Sequence, residues 1–136
     1  MDSIKIAIAD DHTLFRAGLK RLLAREKDLL VTGEAGRADE VEPAVAKGKA
    51  DILLLDLKMP GGEVVQTLLE IQNRHPETRT LILTAFDDED IILETAKAGA
   101  RGYVLKGVSP TTLFQAIRTV HEAGIWIDPG LPQAGE

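Results

Sequence analysis

The chain has 136 residues, 44% hydrophobic and 28% charged, the make-up of one globular domain with a substantial core. It contains no cysteine, which excludes disulfides, thiolate metal ligands and cysteine nucleophiles, and its formal charge of −6 without a Lys/Arg cluster argues against the segment holding a nucleic-acid backbone by itself. No apolar run reaches the roughly 20 residues of a membrane helix and the N-terminus lacks a secretory layout, so a cytoplasmic address and no membrane partner are expected.

From the N-terminus, Ile4 to Ala9 reads as the first strand. Thr13 to Arg25 spaces Phe15, Leu19, Leu22 and Leu23 as one helical stripe. Leu29 to Glu34 is the second strand, and Ala38 to Lys47 a helix carrying Pro43 in its first turns. Asp51 to Asp56 has the continuous apolar centre of a central parallel strand. After the Met59-Pro60-Gly61-Gly62 turn, Val65, Leu68 and Ile71 mark a helix ending near His75-Pro76. Arg79 to Thr84 is the fourth strand. Asp87 and Asp88 suit the start of a helix reaching Ala98, closed by Gly99. Arg101 to Leu105 is the fifth strand, and Ser109 as N-cap with Pro110 behind it opens a last helix that Gly124 stops. The tail from Ile125 to Glu136 has no periodic pattern and reads as a packed turn running into a linker.

Such alternation predicts an α/β domain with a parallel sheet covered on both faces. In that architecture every strand has its carboxyl end on one edge, where ligands bind. Asp10 and Asp11 follow strand one, Asp56 ends strand three, Thr84 ends strand four and Lys106 follows strand five, so all five share one rim. Three carboxylates in one crevice repel one another unless protonated or bridged by a cation. A hard divalent ion fits best, Mg²⁺ above all with Mn²⁺ as an alternative, because it takes oxygen ligands and leaves part of its shell open to phosphate. Lys106 supplies a positive charge and Thr84 a hydroxyl for the outer oxygens of a transferring phosphoryl group, which leaves Asp56 as nucleophile. Taken singly, each residue has a plainer reading: a polar helix-capping turn for Asp10 and Asp11, a turn residue for Asp56, no role for a lone Thr or Lys. Coincidence on one edge is what outweighs those readings.

The segments Ile-Ala-Asp10-Asp11-His, Leu-Leu-Leu-Asp56-Leu-Lys-Met-Pro-Gly, Leu-Thr84-Ala-Phe and Gly-Tyr103-Val-Leu-Lys106-Gly-Val-Ser-Pro resemble the receiver domains of two-component response regulators. Leu14-Phe15-Arg16-Ala-Gly-Leu and the stretch through His121-Glu-Ala-Gly-Ile-Trp126 are similar to the NarL/FixJ (LuxR-type) branch. The resemblance implies a flavodoxin-like (CheY-like), doubly wound, five-stranded parallel sheet of order 2-1-3-4-5 with five helices. It further implies that Asp10, Asp11, Asp56 and the Lys58 backbone carbonyl hold Mg²⁺, with Asp10 acting through a metal-bound water. Asp56 would take the phosphoryl group from a sensor histidine kinase. Lys106 and Thr84 would bind its oxygens, and Thr84 would vacate space into which Tyr103 turns. Without the resemblance, Tyr103 reads as a partly buried ring with its hydroxyl in water.

Two positions depart from the family pattern. Val64 stands where glycine is usual, a poor fit if the backbone there needs positive φ. Gly107 follows Lys106 in place of a proline that often has a cis bond. Neither removes a chemical group. His12 is read as an exposed loop imidazole without a role, His75 and His121 as residues suited to helix C-termini, and Trp126 as an apolar plug over the last helix. Lys58 and Phe86 occupy places where the family tunes phosphoryl lifetime, and Asp87 to Asp90 read as a solvated helix start.

The expected organisation is a receiver over residues 1–124, then a turn and linker over 125–136, with a helix-turn-helix DNA-binding domain absent from this chain. The expected role is a signalling switch rather than an enzyme, dimerising on activation and reaching DNA only through that missing domain. A stand-alone receiver that docks on other proteins is the alternative. A haloacid dehalogenase-like phosphatase needs a second Asp two residues after the nucleophile, where Lys58 stands. A flavin carrier needs a hydroxyl- and glycine-rich loop where Asp10 and Asp11 stand.

Overall fold

In the computed structural model the described residues are 3–85 and 89–127. Six parallel strands, β1 (Ile4–Ala9), β2 (Leu29–Ala35), β3 (Ile52–Asp56), β4 (Arg79–Thr84), β5 (Gly102–Leu105) and β6 (Trp126–Ile127), form one sheet in the order β2-β1-β3-β4-β5-β6. The 2-1-3-4-5 order is as expected. The two-residue β6 is an addition, pairing Trp126 and Ile127 with Gly102 and Tyr103 where the sequence reads as a packed turn running into a linker. Two residues are too few for any periodicity to show.

Five helices cover the sheet: α1 (Thr13–Ala24), α2 (Val41–Gly48), α3 (Val64–Arg74), α4 (Glu89–Lys97) and α5 (Pro110–Ala123). The expected start of the fourth helix at Asp87 and Asp88, and Phe86 before it, lie outside the described residues. A 3-10 turn over Ala38–Glu40 precedes α2, so the second helix begins three residues later than the spacing predicts. Pro43 then sits in the first turn, where its missing N–H removes no helical hydrogen bond. Ser109 caps α5, its Oγ accepting the Thr112 N–H at 3.2 Å.

Successive strand residues face opposite layers, and the core divides accordingly. Ile6, Ile8, Ile52, Leu54, Leu81, Leu83 and Val104 pack with Leu19 and Leu23 of α1 and with Leu113, Ile117 and Val120 of α5. Ala7, Ala9, Leu53, Leu55, Ile82 and Tyr103 pack with Val41 and Val45 of α2, Ile71 of α3 and Ile92 of α4. Trp126 lies against the first of these clusters, as a plug over α5 would. Strand β3 is buried throughout, which explains its unbroken apolar run. Leu54→Ala should therefore cost about 2–5 kcal/mol of folding stability, read as a fall in urea midpoint at unchanged m.

Val64 carries no strain. It is the first residue of α3, entered through Glu63 in extended conformation (φ −91°, ψ 144°). The left-handed backbone falls on Gly61 (φ 92°) and Gly62 (φ 155°), residues without a Cβ to obstruct it. There is no cis peptide among the described residues, so Gly107 follows Lys106 through a trans bond. Gly102 meets a different requirement, since a Cβ there would collide with the Trp126 carbonyl and push β6 off the sheet. No helix among the described residues is long and apolar enough to cross a membrane.

Candidate functional site

Parallel strands deliver their last residues to one edge, and here that edge gathers Asp10, Asp11, His12 and Asp56 so that one ligand atom from each lies within 4.8 Å of the others. Lys106, just past β5, points its ammonium among them, 2.7 Å from Asp10 Oδ2 and 3.2 Å from Asp56 Oδ2. Its Nζ also lies 4.7 Å from the centre of the Phe15 ring, so α1 shelters the amine from above. Thr84, buried at the end of β4, pairs with Leu105, and its carbonyl accepts the Lys106 N–H at 2.9 Å. This hydrogen bond sets where the lysine leaves the sheet.

Electrostatics follow from that packing. Burial pushes the Asp56 carboxyl above its ordinary range and the Asp10 charge adds to this, while Lys106 and a hydrogen bond from the Lys58 backbone amide partly oppose it. Burial alone would lower the Lys106 ammonium, but hydrogen bonding and charge from Asp10 and Asp56 outweigh it and hold the group above its ordinary value. Asp10 Oδ2 is buried and closes on the ammonium as an ion pair at 2.7 Å. Three carboxylates against one ammonium leave two negative charges, matched by a single divalent cation. The donor set is almost all oxygen, which fits Mg²⁺ or Mn²⁺ rather than a soft metal.

His12 keeps the exposed ring its sequence position implies and also lies beside the acidic pair. It is the N-cap residue of α1; its N–H donates to Asp10 Oδ1 at 2.8 Å, and its largely exposed ring lies 3.2 Å from that oxygen and 3.4 Å from Asp11 Oδ1. His75 caps the end of α3 and also pairs with Glu42 at 2.7 Å, tying α3 to α2. His121 lies in the last turn of α5.

Tyr103 differs from the plain reading of its sequence. Only 8% exposed, it directs its hydroxyl into protein, donating to the Ile92 carbonyl and lying 2.6 Å from Thr95 Oγ1. Strand β5 is thereby tied to α4. Burial raises the phenol above its ordinary value, with the Thr95 hydrogen bond in partial opposition. Since the folded value is raised, the stability this group contributes is complete below the unfolded value near 10 and is lost as pH rises through the folded one. As the chain has one tyrosine, an absorbance titration should show phenolate appearing later in the native protein than in urea.

Sequence reasoning assigned no role to Thr95, and none to Arg16, whose guanidinium donates to the Asp10 carbonyl oxygen. Thr95 sits inside a regular helix, where nothing in the spacing distinguishes it. For Arg16 the hints are its place in the Leu14-Phe15-Arg16 segment and a long side chain in the first turn of the helix that follows the acidic pair.

The fold and this rim define a doubly wound, CheY-like α/β domain with an acidic, oxygen-rich crevice at its switch point. Residues 6–118 match the response regulator receiver domain, and the chain belongs to that family, in its NarL/FixJ (LuxR-type) branch. It is 39% identical over 127 residues to the oxygen regulatory protein NreC of Staphylococcus epidermidis, covering 92% of this chain and 58% of that protein. It is 34% identical over 128 residues to the transcriptional regulatory protein DegU of Brevibacillus brevis, covering 94% of this chain and 54% of that protein. A LuxR-family two-component response regulator from Aurantimonas sp. SI85-9A1 superimposes with a TM-score of 0.85 at 31% identity, over 95% of this chain and 91% of that one. The chain thus spans little more than half the length of the two regulators NreC and DegU.

Proposed function

We propose that Asp56 accepts a phosphoryl group from a sensor histidine kinase in a reaction that requires Mg²⁺ or Mn²⁺. The observation that carries this reading is the convergence of Asp10, Asp11 and Asp56 beside the Lys106 ammonium. Asp11, Asp56 and the Lys58 carbonyl would hold the cation directly and Asp10 through water. When bound, the cation neutralises the phosphoryl oxygens.

An Asp56 carboxylate oxygen attacks phosphorus, the new P–O bond forming as the P–N bond to the donor imidazole breaks; the electron pair of that bond stays on the departing nitrogen, and the ring leaves as neutral imidazole because its other nitrogen carries the proton. Lys106, already 3.2 Å from Asp56 Oδ2, turns to a phosphoryl oxygen, and the Thr84 hydroxyl binds another. Movement of Thr84 alters the packing around Tyr103. Because the Tyr103 hydroxyl is bonded to Ile92 and Thr95, that change is passed to α4.

The protein is on this reading a signalling switch that assists its own phosphorylation and dephosphorylation, not an enzyme acting on an external substrate. Residues 1–124 form the receiver and 125–136 lead toward a DNA-binding domain beyond this chain. Phosphorylation favours a homodimer, controls transcription through that domain, and takes place in the cytoplasm. The test is incubation with Mg²⁺ and acetyl phosphate followed by peptide mass spectrometry: an adduct on Asp56 supports the proposal, and none with metal present refutes it.

A further inference from the structure

Asp10 is held at every polar atom. Its N–H donates to the Ala35 carbonyl at 3.0 Å, its Oδ1 accepts the His12 N–H at 2.8 Å, and its Oδ2 faces Lys106 at 2.7 Å. The fourth atom, its carbonyl oxygen, accepts from Arg16 Nη1. Arg16 is itself fixed from the other side: its Nε donates to Glu34 Oε1 at 3.1 Å, and Glu34 Oε2 accepts from Lys20 at 2.8 Å. The Arg16 side chain is only 20% exposed. At Gly36, just past β2, a Cβ would come within 3.3 Å of Nη1, so the absent side chain leaves the guanidinium its room.

The carbonyl that Arg16 holds belongs to the peptide bond joining Asp10 to Asp11. That unit is planar, so fixing the direction of the C=O fixes the direction of the Asp11 nitrogen and Cα. Asp11 is exposed, and among the described residues its one ion pair is with His12, so it has little else to aim it at Asp10 and Asp56.

We propose that Arg16 is a positioning residue for the cation site, which sets the Asp10–Asp11 peptide so that the Asp11 carboxylate completes the ligand set. The inference rests on the reading of this rim as a Mg²⁺ or Mn²⁺ site. Lysine cannot replace arginine in the role, because the planar fork addresses a carbonyl and a carboxylate in two fixed directions at once.

The sign of the effect separates positioning from simple charge. Removing a cation beside an acidic cluster should by Coulomb's law strengthen metal binding, whereas loss of positioning weakens it. Mn²⁺ binding, followed by calorimetry and by the electron paramagnetic resonance of the free ion, is expected to weaken about 10- to 100-fold in both Arg16→Gln and Arg16→Lys, the range found when outer-sphere partners of metal ligands are lost. Arg118→Gln serves as the control, since Arg118 binds Asp28 and Glu26 at the opposite edge of the sheet; it should lower Tm and leave Mn²⁺ affinity unchanged. Should Arg16→Gln fail to fold, the charge-preserving Arg16→Lys carries the test. Unchanged or tighter binding in the Arg16 variants overturns the inference, as does an equal loss in Arg118→Gln. A wild type that binds no Mn²⁺ overturns the reading of the site itself and this inference with it, whereas binding lost in Asp11→Asn and retained in the Arg16 variants removes the inference alone.

Discussion

Asp56→Asn should form no phosphoryl adduct under conditions that label the wild type, and in metal-free buffer it should melt at a higher temperature. The first half follows from chemistry, because a neutral amide lacks the anionic oxygen that attacks phosphorus. The second follows from burial, which holds the Asp56 carboxyl above its ordinary value, with the Asp10 charge adding to the effect. A raised carboxyl means that the folded state keeps its proton more tightly than the unfolded chain. The resulting stability is complete below the unfolded value near 3.8 and is lost as pH rises through the folded value, so at neutral pH an ionised Asp56 is a burden on the metal-free fold. Asparagine removes that burden at nearly the same volume. Adding Mg²⁺ should narrow the gap, since only the wild type keeps the full ligand set and gains stability that grows with the logarithm of the Mg²⁺ concentration above its Kd. Thermal melts of both proteins with and without Mg²⁺ give four numbers, and a metal-free Asp56→Asn protein less stable than wild type would contradict the account.

Lys106→Met should slow phosphorylation by about 10²–10³-fold while leaving the site of modification unchanged, the cost typical of losing one donor to a developing oxyanion. Methionine keeps an unbranched stem against Phe15, over whose ring the ammonium sits 4.7 Å from the centre, so packing changes less than with alanine. Asp10 and Asp56 would lose the cation they now share at 2.7 and 3.2 Å, and the pocket would become more negative. Cation affinity should therefore rise as the rate falls. Time courses of adduct formation at several Mg²⁺ concentrations check both trends, and an unaltered rate at saturating metal would exclude the lysine from the chemistry.

The strands were legible because β1, β3 and β4 keep their apolar alternation or continuity up to the rim, and because polar residues interrupt it there at Asp10, Asp56 and Thr84. The convergence of the acidic residues with Lys106 then follows from direction alone, as parallel strands all end on one edge. What could not be read has a common cause. Thr95 meets Tyr103, and Arg16 meets the Asp10 carbonyl and Glu34, through polar contacts between different elements, and the apolar period that turns a helix onto the sheet does not say which polar groups meet. The 3-10 turn before α2 and the two residues of β6 are shorter than the repeat that would reveal them.

The pairing of β6 with β5 gives the chain's exit a mechanical meaning. Strand β5 carries Tyr103, which is fastened to α4 through Ile92 and Thr95, and the same strand is laced to Trp126 and Ile127 on its other side. The β6 segment is therefore fastened to the same strand whose tyrosine is bonded to α4, so a displacement of that helix and a pull on Trp126 and Ile127 meet in one strand, much as a door handle shares its spindle with the latch.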